Sequence, residues 1–156
     1  MTGRAKSAEE QVNEDLLDQL SLYGRRARGA VERVAPGLSF AEYSLLGQVS
    51  TTGAARAHDL ARVFGLDKST VSRQLAGLVR RGLVERDEAR CVHVTPEGAR
   101  LLRATRAELL GLLGERVADW TLEERRSFAT LMRRYNAAED EGDDGETRSA
   151  GRGSGD

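Results

Sequence analysis

The sequence predicts a mainly α-helical chain carrying one short β-hairpin. Three observations carry this expectation: apolar residues recurring at helical spacing, helix-start signals repeated along the chain, and a single stretch of alternating valines flanked by polar turn residues. The expected order is two helices, a closely spaced helix pair, the hairpin, and two further helices.

In the first helix, Val12, Leu16, Leu20 and Tyr23 form one apolar stripe that continues towards Ala27, Val31 and Val34. Pro36-Gly37 ends it. Ser39 is a helix N-cap for a second helix from Phe40 to about Val49. After the loop Thr51-Thr52-Gly53, a short helix runs from about Ala57 to Phe64. Gly65 turns the chain, and Asp67 caps a further helix reaching Arg81. There two arginines oppose the C-terminal dipole and Gly82 can take the left-handed conformation. Leu83–Arg86 and Arg90–Thr95 place Val84, Val92 and Val94 at alternating positions, as a hairpin requires. Thr95-Pro96-Glu97 opens the next helix, which carries Leu101, Leu102, Leu109, Leu110 and Leu113. Thr121 and Glu124 make a capping box for the last helix, with Leu122, Phe128, Leu131, Met132 and Tyr135.

At 156 residues the chain can bury a core without disulfides or a metal. Its single cysteine, Cys91, excludes an intramolecular disulfide and fits a reducing, cytoplasmic setting. No apolar run reaches membrane-spanning length, and the N-terminal MTGRAKSAEEQ lacks the apolar core of a secretion signal. The net charge of −1 hides an asymmetry. Glu139–Asp156 holds seven acids against two arginines, and its scarcity of apolar residues predicts a disordered acidic, Gly-rich tail over 139–156. Between Arg56 and Arg106, eleven Lys and Arg face six Asp and Glu, a basic balance compatible with a polyanionic partner or with an ordinary solvated surface.

The informative stretch is His58–Gly82, HDLARVFGLDKSTVSRQLAGLVRRG. A helix-turn-helix needs a small residue where its helices cross, a turn residue free to adopt an unusual backbone angle, and apolar residues locking the second helix. Ala61, Gly65 and Val71 meet these needs in order. On the second helix, Val71, Leu75 and Leu78 share one side, while Ser69, Ser72, Arg73, Ala76 and Arg80 share the other. Short hydroxyls and arginine suit base edges in a major groove, and Lys68 with the free N–H groups of the first turn suits phosphate. The candidate DNA-binding residues on this helix are therefore Lys68, Ser69, Thr70, Ser72 and Arg73, with Arg73 the first choice for base readout.

The chain here resembles the MarR family of transcriptional regulators, through LSFAEYSLL (Leu38–Leu46), Asp59–Arg86 and VTPEGARLL (Val94–Leu102), covering most of residues 10–138. The resemblance implies a winged helix-turn-helix domain over 8–138. Its dimerisation helices would occupy about 8–35 and 96–138, and its DNA-binding lobe about 38–95. It implies a cytoplasmic homodimer that binds a pseudo-palindromic operator on double-stranded DNA, expected to act as a repressor, with half-sites about 34–36 Å or a multiple apart. It also implies a small aromatic or anionic effector, for which Tyr23, Phe40, Tyr43 and Trp120 are the candidate pocket residues. Aromatic residues at helical spacing equally suit a core.

Two features depart from the family pattern. The hairpin, which the resemblance implies lies along the adjacent minor groove with Arg86 and Arg90 as its candidate DNA-binding residues, is short: only Asp87-Glu88-Ala89 separates these two, and acids at its tip would repel phosphate. Gly77 interrupts the second helix, at a cost of about 1 kcal/mol relative to alanine, and reads as mild helix weakening rather than as a close approach. The acidic hairpin and tail motivate an alternative: a winged-helix protein-interaction module or antirepressor that has lost DNA binding.

Cys91 and His93 share a strand face, but a metal site needs more ligands, so no metal and no cofactor are expected. Cys91 reads as a passive thiol ahead of a redox sensor, since family members that sense oxidants carry the cysteine near the N-terminal helix. Nothing resembles a nucleophilic triad, a phosphate loop or a dinucleotide fingerprint, so an enzyme is not expected.

Overall fold

The computed structural model describes residues 6–137; the predicted tail at 139–156 lies outside them. The elements are α1 (Ala8–Val34), α2 (Phe40–Thr52), α3 (Ala57–Phe64), α4 (Lys68–Arg80), β1 (Val84–Arg86), β2 (Val92–Val94), α5 (Pro96–Arg116) and α6 (Leu122–Ala137). The chain divides into two compact units, one reaching to Leu113 and the other starting at Gly114.

Helix starts follow local chemistry. The first N–H groups of a helix lack partners within it, and a side-chain oxygen at the N-cap supplies one. Ser7 with Glu10 and Ser39 with Glu42 close capping boxes on α1 and α2, and Thr121 with Glu124 exchanges the same bonds ahead of α6. Glycine ends α3: Gly65 takes φ 59°, ψ 34°, letting the Leu66 N–H return to the Ala61 carbonyl at 2.9 Å. Helix α2 runs three residues past its expected end, to Thr52, whose hydroxyl donates back to the Gln48 carbonyl.

The first unit is organised around one core. Leu45, Leu46 and Val49 of α2, Leu60 of α3, Val71, Leu75 and Leu78 of α4, and Val84 and Val92 of the hairpin are fully or almost fully enclosed. Each enclosed leucine contributes about 1.5–3 kcal/mol relative to exposure. Val31, Ala35 and Leu38 bring the end of α1 and the α1–α2 corner into the same cluster. Earlier on α1, among the described residues, the predicted stripe is largely open: Val12 and Leu16 are each 56% exposed and Tyr23 60%, with Leu20 half-buried.

The strands pair antiparallel, Val84 with Val94 and Arg86 with Val92, and are shorter than expected, so Arg90 belongs to the turn. On its other edge Val92 exchanges two backbone hydrogen bonds with Ala55, at 2.8 and 3.1 Å. The hairpin root is thereby fastened to the segment that leads into α3.

Two glycines record close approaches. A Cβ on Gly98 would overlap the Leu83 carbonyl oxygen and come within 2.9 Å of its carbon. A Cβ on Gly77 would stand 2.9 Å from Oε1 of Glu42 on α2. The expectation of simple helix weakening at Gly77 is thus corrected: the absent side chain leaves room for a neighbouring helix's carboxylate.

In the second unit, α6 carries no buried residue, and Leu122, Phe128, Leu131 and Tyr135 stand open. Trp120 packs edge-to-face on Phe128 with ring centroids 5.5 Å apart.

Candidate nucleic-acid interface

Helices α3 and α4 form the predicted helix-turn-helix. Ala61 is buried at the crossing, Gly65 makes the left-handed turn, and Val71, Leu75 and Leu78 turn fully inward. The other side of α4 faces outward. Lys68, Ser69 and Arg73 are exposed, while Thr70 and Ser72 are half-buried. Among the described residues, Lys68, Ser72 and Arg73 join no side-chain hydrogen bond or ion pair, so their donors are uncommitted.

Asp67 has a larger part than a cap alone. Its Oδ1 accepts from the Thr70 N–H at 2.8 Å and from the Ser69 hydroxyl at 2.5 Å, and its Oδ2 accepts from the Thr70 hydroxyl at 2.6 Å. These bonds, that of Ser69 foremost, hold the carboxyl far below the usual carboxylate range. An ionised carboxylate only accepts, so both hydroxyl protons point at Asp67 and the remaining lone pairs face away from it. The sequence signal was present in the D-x-S-T spacing, but spacing alone does not reveal which way the hydroxyls donate.

The wing is a five-residue connection. The Arg90 N–H donates to the Asp87 carbonyl and the Asp87 N–H to the Cys91 carbonyl, each at 3.0 Å. Arg90 has φ 62°, the left-handed conformation that such a loop usually gives to glycine. Its side chain and that of Arg86 are both exposed. Asp87 is not the free acid the sequence suggested. Its Oδ1 accepts from the Cys91 N–H at 2.8 Å, and its Oδ2 lies 2.8 Å from Nε2 of His93. The His93 bond lowers the Asp87 carboxyl, and the same bond raises the His93 imidazole above its ordinary value. Glu88 remains an exposed acid at the tip.

The four candidate pocket aromatics fall in different surroundings. Phe40 and Tyr43 on α2 are half-buried against the core, and Tyr23 on α1 is exposed. Trp120 belongs to the second unit, against Phe128. Among the described residues no three His, Cys, Asp or Glu side chains are grouped as metal ligands, and no helix is long and apolar enough to cross a membrane.

Comparisons with known proteins converge on one family. The family model described as MarR family matches residues 37–91, the span of α2, the helix-turn-helix and most of the wing. The HTH-type transcriptional regulator YxaD of Bacillus subtilis (strain 168) is 32% identical over 113 residues, covering 69% of this chain and 79% of that protein. Among solved structures, a MarR-family transcriptional regulator from Rhodococcus sp. RHA1 superposes with a TM-score of 0.71 at 22% identity, covering 86% of this chain and 100% of that one. A crystal structure of MarR gives a TM-score of 0.69 at 23% identity over 86% of this chain and 92% of its own. The exposed face of α4, the wing beside it and these relatives identify the chain as a member of the MarR family: a winged helix-turn-helix, DNA-binding transcriptional regulator, and not an enzyme.

Proposed function

We propose that the protein acts as a homodimeric repressor in the cytoplasm, occupying a pseudo-palindromic operator with one α4 per half-site in the major groove. The observation that carries this reading is the outward face of α4, where Arg73 and Lys68 are exposed with uncommitted donors above a fully packed inner face. Arginine offers two parallel bonds to guanine O6 and N7, and lysine a point charge to phosphate. Ser69, Thr70 and Ser72 complete the surface that meets DNA, and Arg86 and Arg90 of the wing add charge towards the adjacent minor groove. The left-handed Arg90 supports that part, because an arginine kept where glycine is easier points to a use for its side chain.

Dimerisation is supported by the apolar side chains left open on α1 and α6, among them Leu16, Leu17, Phe128 and Leu131. Two-fold symmetry of such a dimer explains a palindromic site. An aromatic or anionic effector is the finer part of the reading, with Phe40 and Tyr43 the first residues to test and Tyr23 and Trp120 after them.

The deciding experiment is a gel shift with duplex DNA from the region upstream of the protein's own coding sequence, repeated across salt. A shift that survives competitor DNA and weakens steeply with salt supports the reading. A well-folded dimer that shifts nothing overturns it, in favour of a protein-interaction module on the same fold.

A further inference from the structure

Glu42 does more than close the capping box of α2. Its Oε2 accepts from the Ser39 N–H at 2.9 Å and from the Ser39 hydroxyl at 3.1 Å, and Nη1 of Arg81 stands 3.6 Å away. The same Nη1 donates to the Gly37 carbonyl at 2.6 Å. The other oxygen, Oε1, lies over Gly77, in the space that a side chain there would occupy. The Glu42 side chain is only 13% exposed.

The end of α4 therefore meets the α1–α2 corner at two points: Glu42 approaches closely where residue 77 lacks a side chain, and the Arg81 guanidinium bonds to the Gly37 carbonyl beside Glu42. Arg73, on the outward face, precedes residue 77 by about 6 Å along the helix axis. A hydrogen bond to a base edge tolerates only a few tenths of an ångström.

We propose that Glu42 is a positioning residue for DNA readout: seated on Gly77 and tied to Ser39 and Arg81, its carboxylate sets the angle at which α4 enters the groove. This rests on the reading of α4 as the DNA-facing helix. It carries a sign that simple electrostatics does not. Removing an acid from a DNA-binding lobe should tighten binding to a polyanion, whereas loss of a positioning acid weakens specific binding.

The test compares full-length variants on a duplex selected from bound genomic fragments and on a scrambled duplex of equal length, at one salt concentration, with thermal melting alongside. Glu42→Ala is expected to lower affinity for the selected duplex about tenfold, with the scrambled duplex bound as well or better. Glu42→Gln keeps the cap and the volume, and should stay within about twofold of the parent on both. Gly77→Val, which fills the seat of the carboxylate, should reproduce the Glu42→Ala loss. The double variant should lose no more than either single one.

A Glu42→Ala protein that melts lower but keeps the parent ratio of selected to scrambled affinity overturns the proposal, as do losses that simply add. A parent protein that does not distinguish the duplexes overturns the underlying reading of α4 instead. Amide exchange across Leu75–Arg81 in the parent, Glu42→Ala, Gly77→Val and the double variant then decides on Glu42: non-additive changes uphold its contact with Gly77, and independent changes overturn it.

Discussion

The backbone of Gly98 passes so close to the carbonyl of Leu83 that no β-carbon fits between them. At the same crossing, the Thr95 hydroxyl donates to the Gly82 carbonyl at 2.7 Å, and the Thr95 N–H donates to the Leu83 carbonyl at 3.1 Å. The start of α5 is thereby bolted to the residues that link α4 to β1. Gly98→Ala must displace backbone rather than a side-chain tip. The expected loss is about 1–3 kcal/mol of stability, seen as a lower urea midpoint at unchanged slope. An unchanged midpoint would show that the crossing has slack.

Arg73 is the residue to remove if base readout is to be tested directly. Arg73→Ala should cost about 1–3 kcal/mol of operator binding and relax preference at one base pair of each half-site. Its thermal midpoint should hold, because the side chain is exposed and joins no hydrogen bond or ion pair among the described residues. Quantitative selection from randomised duplexes, compared with the parent, reads both effects. Unaltered preference would remove Arg73 from the recognition surface.

Asp67 fixes hydroxyl polarity on the first turn of α4. With both protons spent on the carboxylate, Ser69 and Thr70 can only accept from DNA, so they favour the exocyclic amines of adenine and cytosine. Asparagine caps a helix as well as aspartate does, but its amide group donates. Asp67→Asn should therefore keep α4 folded, release a hydroxyl proton outward and move base preference towards acceptors. Selected sequences identical to those of the parent would contradict this.

The wing carries a pH dependence whose sign follows from its two partners. Asp87 sits below its ordinary value of 3.8, so its contribution is present above that value and fades as pH falls. His93 sits above its ordinary 6.5, so its contribution is full below that value and is lost as pH rises through the elevated one. Glu85, opposite His93 in register, and the Gly53 backbone push it the same way. The pair is tightest in mildly acidic solution, between these limits. Proton NMR of the His93 ring should give a midpoint above 6.5, and Asp87→Asn should bring it down. A midpoint at or below 6.5 in the parent would show that the pair does not form in solution.

Much of this was legible in the residues, because the helix starts are local. Ser39, Asp67, and Thr121 with Glu124 each announce a cap within three residues, and Gly65 announces its turn. What escaped was long-range. The Ala55–Val92 bridge involves one residue on one side and leaves no periodicity to detect. Gly77 looked like a weak point because the carboxylate that needs its space lies 35 positions earlier in the chain, on another helix. Asp87 looked repulsive because sequence shows a charge but not the imidazole folded back across the hairpin. The stripe on α1 was visible, yet its spacing cannot say that most of its N-terminal part stands open.

Arg90 gives the wing a conflict between two kinds of fitness. Its left-handed backbone costs a non-glycine residue roughly 1–2 kcal/mol, so a library of variants at position 90 ranked by folding alone should drift to glycine. The same library ranked by retention on operator DNA should hold on to arginine if the wing grips the duplex. The distance between the two rankings measures, in one residue, how much of the protein's hold on DNA is borne outside α4.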